Sequence, residues 1–191
     1  MTILEIVHDV SRRLTSIGLP HAIGGSLASS VWGEYRSTND ADIGVRLLAH
    51  QADALIDAFP DPYLLSRNEI AEGLASRDAY RTVQLLHMDE AFKIDLFLLT
   101  DDSYTESELE RRRTVEVLPG INLPFLAAEN IAIQKLRWFR AGNEVSDRQW
   151  NDIVRLLDIQ LPALDIEYIS HWCGHFAVDD LLDRALSQVR R

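Results

Sequence analysis

Ile23-Gly24-Gly25-Ser26-Leu27-Ala28-Ser29-Ser30-Val31-Trp32-Gly33-Glu34-Tyr35-Arg36-Ser37-Thr38-Asn39-Asp40-Ala41-Asp42-Ile43-Gly44-Val45 reads as strand end, turn, helix and strand. The short apolar run 21–23 stops on two glycines, 27–35 is compatible with a helix, and 40–47 reads as a strand. Paired glycines let backbone approach a ligand closely, and the open amides of the next helix's first turn can bind a phosphate oxygen. Ser26 would cap that helix and offer its hydroxyl to the same anion. Taken alone, Gly24-Gly25-Ser26 is also an ordinary turn with an ordinary cap. Side chains alternate along a strand, so Asp40 and Asp42 share one face while Ala41, Ile43 and Val45 share the other. Two carboxylates on one face are costly unless a cation stands between them.

Further along, Phe92-Lys93-Ile94-Asp95-Leu96-Phe97-Leu98-Leu99 sets an aspartate in an almost wholly apolar strand. Carboxylates are rarely buried unpaired, so Asp95 is hard to explain as a core residue. Strands are expected at 80–88 and 92–99, joined in a hairpin by the acidic turn Asp89-Glu90. If the second lies beside the strand of Asp40 and Asp42, three carboxylates share a face. Such a set suits Mg²⁺, a hard cation that takes a few carboxylates, water and substrate phosphates.

The remaining chain supplies the frame. Ile3, Ile6, Val7, Val10, Leu14 and Ile17 recur at helical steps in a first helix that stops at Gly18 and Pro20. A helix is expected at 50–59, a short helix and loop within 66–79, a charged helical turn at 107–113, and one or two strands within 114–126. After Pro124 the pattern is helical only, at 127–141, 146–159, 165–175 and 178–189. The expectation is an α+β fold, a mixed sheet flanked by helices in 1–126, followed by a helical C-terminal lobe at 127–191.

The chain has 191 residues, 47% apolar and 26% charged, with a formal net charge of -11. Residues 1–126 carry 20 acidic and 11 basic side chains, and residues 127–191 carry 10 and 8. That balance excludes a protein that coats nucleic acid by general electrostatics, because such binding needs many Lys and Arg contacts to phosphate. It also means that an acidic site in the first part must recruit a cation to handle a phosphate substrate. The single cysteine, Cys173, excludes an internal disulfide framework. No apolar run approaches the roughly 20 residues that span a bilayer, and the first 19 residues do not read as a signal peptide, so a cytoplasmic protein without membrane contact is expected.

Gly24-Gly25-Ser26, Gly33, Arg36, Thr38 and Asp40-Ala41-Asp42, with Lys93-Ile94-Asp95, resemble the nucleotidyltransferase superfamily. The pattern is similar to the group that includes the toxin of abortive-infection, type IV toxin–antitoxin systems: a Gly-Gly pair, a helix, Gly-x-x-Arg-x-Ser/Thr and Asp-x-Asp. Glu129-Asn130-Ile131-Ala132-Ile133-Gln134-Lys135-Leu136 resembles the family's lysine-bearing helix, and Asp152 the aspartate one helix later, so the resemblance covers roughly residues 20–158. It implies a nucleotidyltransferase-like fold and Mg²⁺-dependent (or Mn²⁺-dependent) transfer of a nucleoside monophosphate from an NTP to an acceptor hydroxyl. By the same resemblance Asp40, Asp42 and Asp95 bind the metal, and Asp95 helps deprotonate the acceptor. Gly24, Gly25 and Ser26 bind the nucleotide, and Lys135 neutralises phosphate charge. Arg36 touches phosphate or pairs with Glu34 or Asp40; Asp152 bonds Lys135 or lies on a plain helix surface. The acceptor would be an RNA end, a protein hydroxyl or a small molecule, and a toxin would have a cognate antitoxin as partner. The alternatives are an antibiotic-type small-molecule transferase and a catalytically silent interaction module of the same fold.

Three other features read as structure. In His171-Trp172-Cys173-Gly174-His175 the two histidines share a helix face, Cys173 points elsewhere and no fourth ligand is evident, so core packing around Trp172 is expected. Arg111-Arg112-Arg113, beside Glu106, Glu108 and Glu110, reads as a solvated turn rather than a steering patch. Leu136, Trp138 and Phe139 are expected in the core.

Overall fold

The first helix, α1 (Ile3–Ser16), starts where Thr2 and Glu5 cap each other's backbone N–H groups and buries Ile6, Val7, Val10 and Leu14. The computed structural model describes residues 1–34, 38–76, 78 and 81–189. Contacts divide the chain into two units, Met1–Leu27 with Ser37–Leu126 and Ala28–Arg36 with Ala127–Arg191.

The first unit is built on a seven-stranded sheet of β1 (His21–Ile23), β2 (Asp40–Val45), β3 (Tyr63–Leu65), β4 (Thr82–His87), β5 (Phe92–Leu98), β6 (Arg113–Leu118) and β7 (Ile121–Phe125). The spatial order is β3-β4-β5-β2-β1-β7-β6. Strands β2 and β5 run parallel, as do β1 and β7, and the other neighbours are antiparallel. The mixed α+β class expected from the sequence is the one observed. Alternation sorts each inner strand into two faces. Ala41, Ile43 and Val45 lie opposite Ile94, Leu96 and Leu98, all at most 3% exposed, and Val83 and Leu85 of β4 continue the apolar layer. Burial of that layer is the main stabilising term, at roughly 1.5–3 kcal/mol per large side chain.

Helices α3 (Ala52–Asp57), α4 (Arg67–Ala75) and α5 (Ser103–Glu110) complete this unit. The helix α5 starts earlier than expected because Asp102 caps it, its carboxylate accepting from the Thr105 N–H at 2.8 Å. Strand β3 was not foreseen: three residues are too few to show alternation. Helix α2 (Gly25–Trp32) starts at the second glycine, two residues before the expected boundary.

The second unit contains α6 (Ala128–Ala141), α7 (Asp147–Gln160), α8 (Ile166–His175) and α9 (Asp179–Gln188), the four helices expected. Its interior includes Leu136, Phe139, Trp150, Ile153, Leu157, Ile169 and Leu182. The Phe139 and Trp150 rings are 5.1 Å apart, and the Trp150 indole N–H donates to Gln188 at 2.9 Å. Trp138, expected in the core, is instead 40% exposed, because it follows Leu136 by two positions and so turns off the apolar stripe. Trp172 and Cys173 are buried as core residues, and burial pushes the Cys173 thiol up to about 12. No helix of the described residues is long and apolar enough to cross a membrane.

Candidate active site

The parallel pairing of β2 with β5 answers the question left open by the sequence. Asp42 stands directly opposite Asp95, and Asp40 directly opposite Lys93. Directly paired residues project to the same side, so the three aspartates share one face with Lys93, opposite the buried layer of Ala41, Ile43 and Val45. Gln84 of β4 pairs with Asp95 from the other side.

Each carboxylate has a distinct partner. The Thr38 hydroxyl donates to Asp40 Oδ1 at 2.8 Å. The Lys93 ammonium donates to Asp95 Oδ2 at 2.6 Å. Asp42 receives the backbone N–H of Ser26, the second residue of α2. It therefore occupies the helix start, where open N–H groups favour an anion. Burial, then the charges of Asp40 and Asp95, nevertheless push Asp42 up to about 6, against the opposing pull of Lys93 and the Ser26 N–H. The hydrogen bond to Asp95, aided by the charges of all three aspartates, raises Lys93.

The glycine turn is built around Asp42. The Gly24 N–H donates to the Asp42 carbonyl at 2.9 Å, extending the β1–β2 pairing, so this amide serves the sheet. Gly25 has φ +54, a left-handed conformation that only glycine adopts without strain. A Cβ there would also lie 1.6 Å from Asp42 Oδ2.

Gly24, Gly25, Ser26, Asp40, Asp42 and Asp95 all belong to the first unit. Lys135 lies on α6 of the second, where its ammonium meets Asp152 Oδ2 of α7 at 3.4 Å. Arg36 lies outside the described residues. Lys93 carries the cation of the cluster and was not singled out for the site. The alternation of Lys93 with Asp95 held that information, since positions two apart share a face.

A strand–turn–helix with an aspartate pair on the next strand, and a third aspartate on the parallel neighbour, invites comparison with known proteins. No family model matches the sequence, and no curated protein matches it. Solved structures do resemble it. ANT(2'')-Ia, in complex with adenylyl-2''-tobramycin, superposes with a TM-score of 0.58 at 14% identity, over 93% of this chain and 98% of that one. The chain has the nucleotidyltransferase fold. An antigenic nucleotidyltransferase-like protein from Paracoccidioides brasiliensis shares this nucleotidyltransferase fold, with a TM-score of 0.55 at 15% identity over 96% and 91% of the two chains. So does the lincosamide antibiotic adenylyltransferase LnuA, lincomycin-bound, with 0.51 at 14% over 83% and 98%.

The motif resemblance implies a divalent cation, and the donor set is of the right chemistry: three carboxylates on one face, where burial and mutual repulsion disfavour charge on Asp42. Among the described residues no group of three or more His, Cys, Asp and Glu side chains is gathered to hold an ion. The Lys93 ammonium holds Asp95 and the Thr38 hydroxyl holds Asp40.

Proposed function

We propose that the chain is a metal-dependent nucleotidyltransferase that moves a nucleoside monophosphate from an NTP to an acceptor hydroxyl. The observation that carries the reading is the pairing of Asp42 with Asp95 across β2 and β5, with Asp40 on the same face and the start of α2 against Asp42. Asp40, Asp42 and Asp95 would hold Mg²⁺, or Mn²⁺ in its place. The ion supplies charge neutralisation at the phosphates and at the attacking oxygen. Gly25 and Ser26 are assigned to the outer phosphates by the sequence resemblance, at a helix start where the missing Cβ of Gly25 makes room for Asp42 Oδ2. Asp95 orients the acceptor hydroxyl and takes its proton. The acceptor oxygen then bonds to the α-phosphorus as the bond to pyrophosphate breaks. Lys135 and Arg36 are assigned to the phosphates by the sequence resemblance.

The 20 acidic against 11 basic side chains of residues 1–126 favour a small cationic or protein acceptor over a long RNA. The nucleotidylated tobramycin named with ANT(2'')-Ia and the lincomycin named with LnuA are small acceptors on the same fold. The toxin reading, with an RNA end or protein hydroxyl as acceptor and an antitoxin as partner, rests on the motif resemblance. Both readings place the protein in the cytoplasm with its NTP.

The test is to incubate the protein with each labelled NTP, Mg²⁺ and a cell extract, comparing wild type with Asp40→Ala and resolving labelled products by size. Label transferred by the wild type and lost in the variant is the expected result. Transfer that survives Asp40→Ala overturns the metal assignment, and a wild type that labels nothing overturns the transferase reading.

A further inference from the structure

A cleft opens at the His21 end of β1. His21 pairs with Val45, which projects away from Asp40 and Asp42, and the His21 ring bonds Ser11 of α1, so the floor of this cleft lies on the sheet face opposite the three aspartates. The cleft has a volume of about 550 Å³, within the range that holds small organic ligands. Its buried floor includes His21 and Ser11, with His8 half-buried beside them, and its exposed rim includes Arg12, Arg112 and Asn122.

The charge of the lining opposes that of the molecule. The chain carries -11 overall, yet two guanidiniums line this cleft, and none of its described lining residues is an aspartate or glutamate. The Ser11 hydroxyl and His21 Nε2 are 2.8 Å apart, and His21 Nδ1 lies 2.9 Å from the Leu19 carbonyl. A carbonyl only accepts, so Nδ1 carries the proton, and Nε2 accepts from Ser11. Burial first, then the Arg112 charge, holds this imidazole below its ordinary pKa, against the pull of the Leu19 carbonyl. His8 Nδ1 is buried with no hydrogen-bond partner among the described residues. Arg112 is anchored through Nη1 to the Leu109 carbonyl at the end of α5. Arg12 is 70% exposed and tied to Asp9 at 3.0 Å, a contact weak enough in water to be exchanged for a better anion.

We propose that this cleft is a second ligand site, for a small polyanion of the phosphate-ester or polyphosphate class, gripped by Arg12 and Arg112 over the His8–Ser11–His21 floor. Guanidinium forks match phosphate oxygens in pairs, and such charge-assisted bonds are the strong ones. A ligand here would order α1, the 18–20 turn and the approach to β6 together, without touching the carboxylates. The proposal stands apart from the transferase reading, because no residue is shared.

The test uses pyrophosphate and citrate as probes in metal-free buffer, with imidazole resonances of His8 and His21 followed by NMR and affinity measured by calorimetry. Saturable shifts of both imidazoles with pyrophosphate are expected. Arg112→Gln and the exposed Arg12→Gln should each weaken binding roughly tenfold, about one charge-assisted contact. Asp42→Asn should leave affinity unchanged. Absence of a saturable shift, full affinity in a folded Arg112→Gln together with Arg12→Gln, or loss of binding in Asp42→Asn each overturns the site. Citrate bound more tightly than pyrophosphate overturns the phosphate class.

Discussion

Asp42 Oδ2 occupies the space in which a side chain at position 25 would begin: a Cβ on Gly25 would lie 1.6 Å from it. The turn and the carboxylate are therefore one unit, and replacing either moves the other. Gly25→Ala must push Asp42 aside and place alanine at φ +54, a strain of about 1–3 kcal/mol. The expected outcome is a folded protein with a lowered Tm and a loss of transferase activity of roughly 100-fold or more, since small misplacements at a reacting centre are that costly. Full activity in this variant would show that the turn and Asp42 are not coupled.

Lys93 supplies positive charge where the carboxylates meet. Lys93→Gln leaves Asp40, Asp42 and Asp95 facing one another with less compensation. Because the lysine is 38% exposed and screened by solvent, the cost to the metal-free protein should stay at about 1 kcal/mol or less. Added Mg²⁺ should then raise Tm more in Lys93→Gln than in wild type. Equal Mg²⁺ responses in calorimetric melts would refute a cation role for Lys93.

Asp42→Asn removes one of three like charges from a partly buried face while keeping the side chain's shape. Function and stability should part company here. The metal-free variant should melt higher than wild type, by roughly 1 kcal/mol of stability, while transferase activity disappears. A lower Tm would mean that the Ser26 N–H contact to Asp42 outweighs the repulsion.

His21 predicts an acid limit to stability. Its folded pKa is depressed by burial and by Arg112, so the unfolded chain takes up the proton first as pH falls. The stability tied to neutral His21 is complete above its unfolded pKa of about 6.5, falls as pH drops below that value, and levels off below the folded pKa. Denaturant melts between neutral pH and pH of about 5 should show a shallower pH dependence in His21→Gln than in wild type. Identical slopes would remove His21 from the account.

Much of the frame was legible because it follows from local periodicity. The α1 stripe of Ile6, Val10 and Leu14, the alternation through Asp40-Ala41-Asp42-Ile43, and the four C-terminal helices all announce themselves within a few residues. Strand β3, at Tyr63–Leu65, has no such signal and exists through its antiparallel pairing with β4. The site was half legible. The two faces of β2 and β5 could be read separately, but that Asp42 meets Asp95 depends on a pairing between residues more than fifty positions apart. The bond of Asp42 to the start of α2, and the location of Arg112 beside His21, are likewise products of tertiary packing.

Strands β2 and β5 are paired along both edges, β2 by β1 and β5, β5 by β2 and β4. Their amides should be among the slowest in the chain to exchange with deuterium, since releasing them requires opening two ladders at once. Fraying of a rim strand or a surface helix would leave the aspartates in register. Dispersal of the three carboxylates should coincide with global unfolding of that unit, which makes their grouping as durable as the sheet itself.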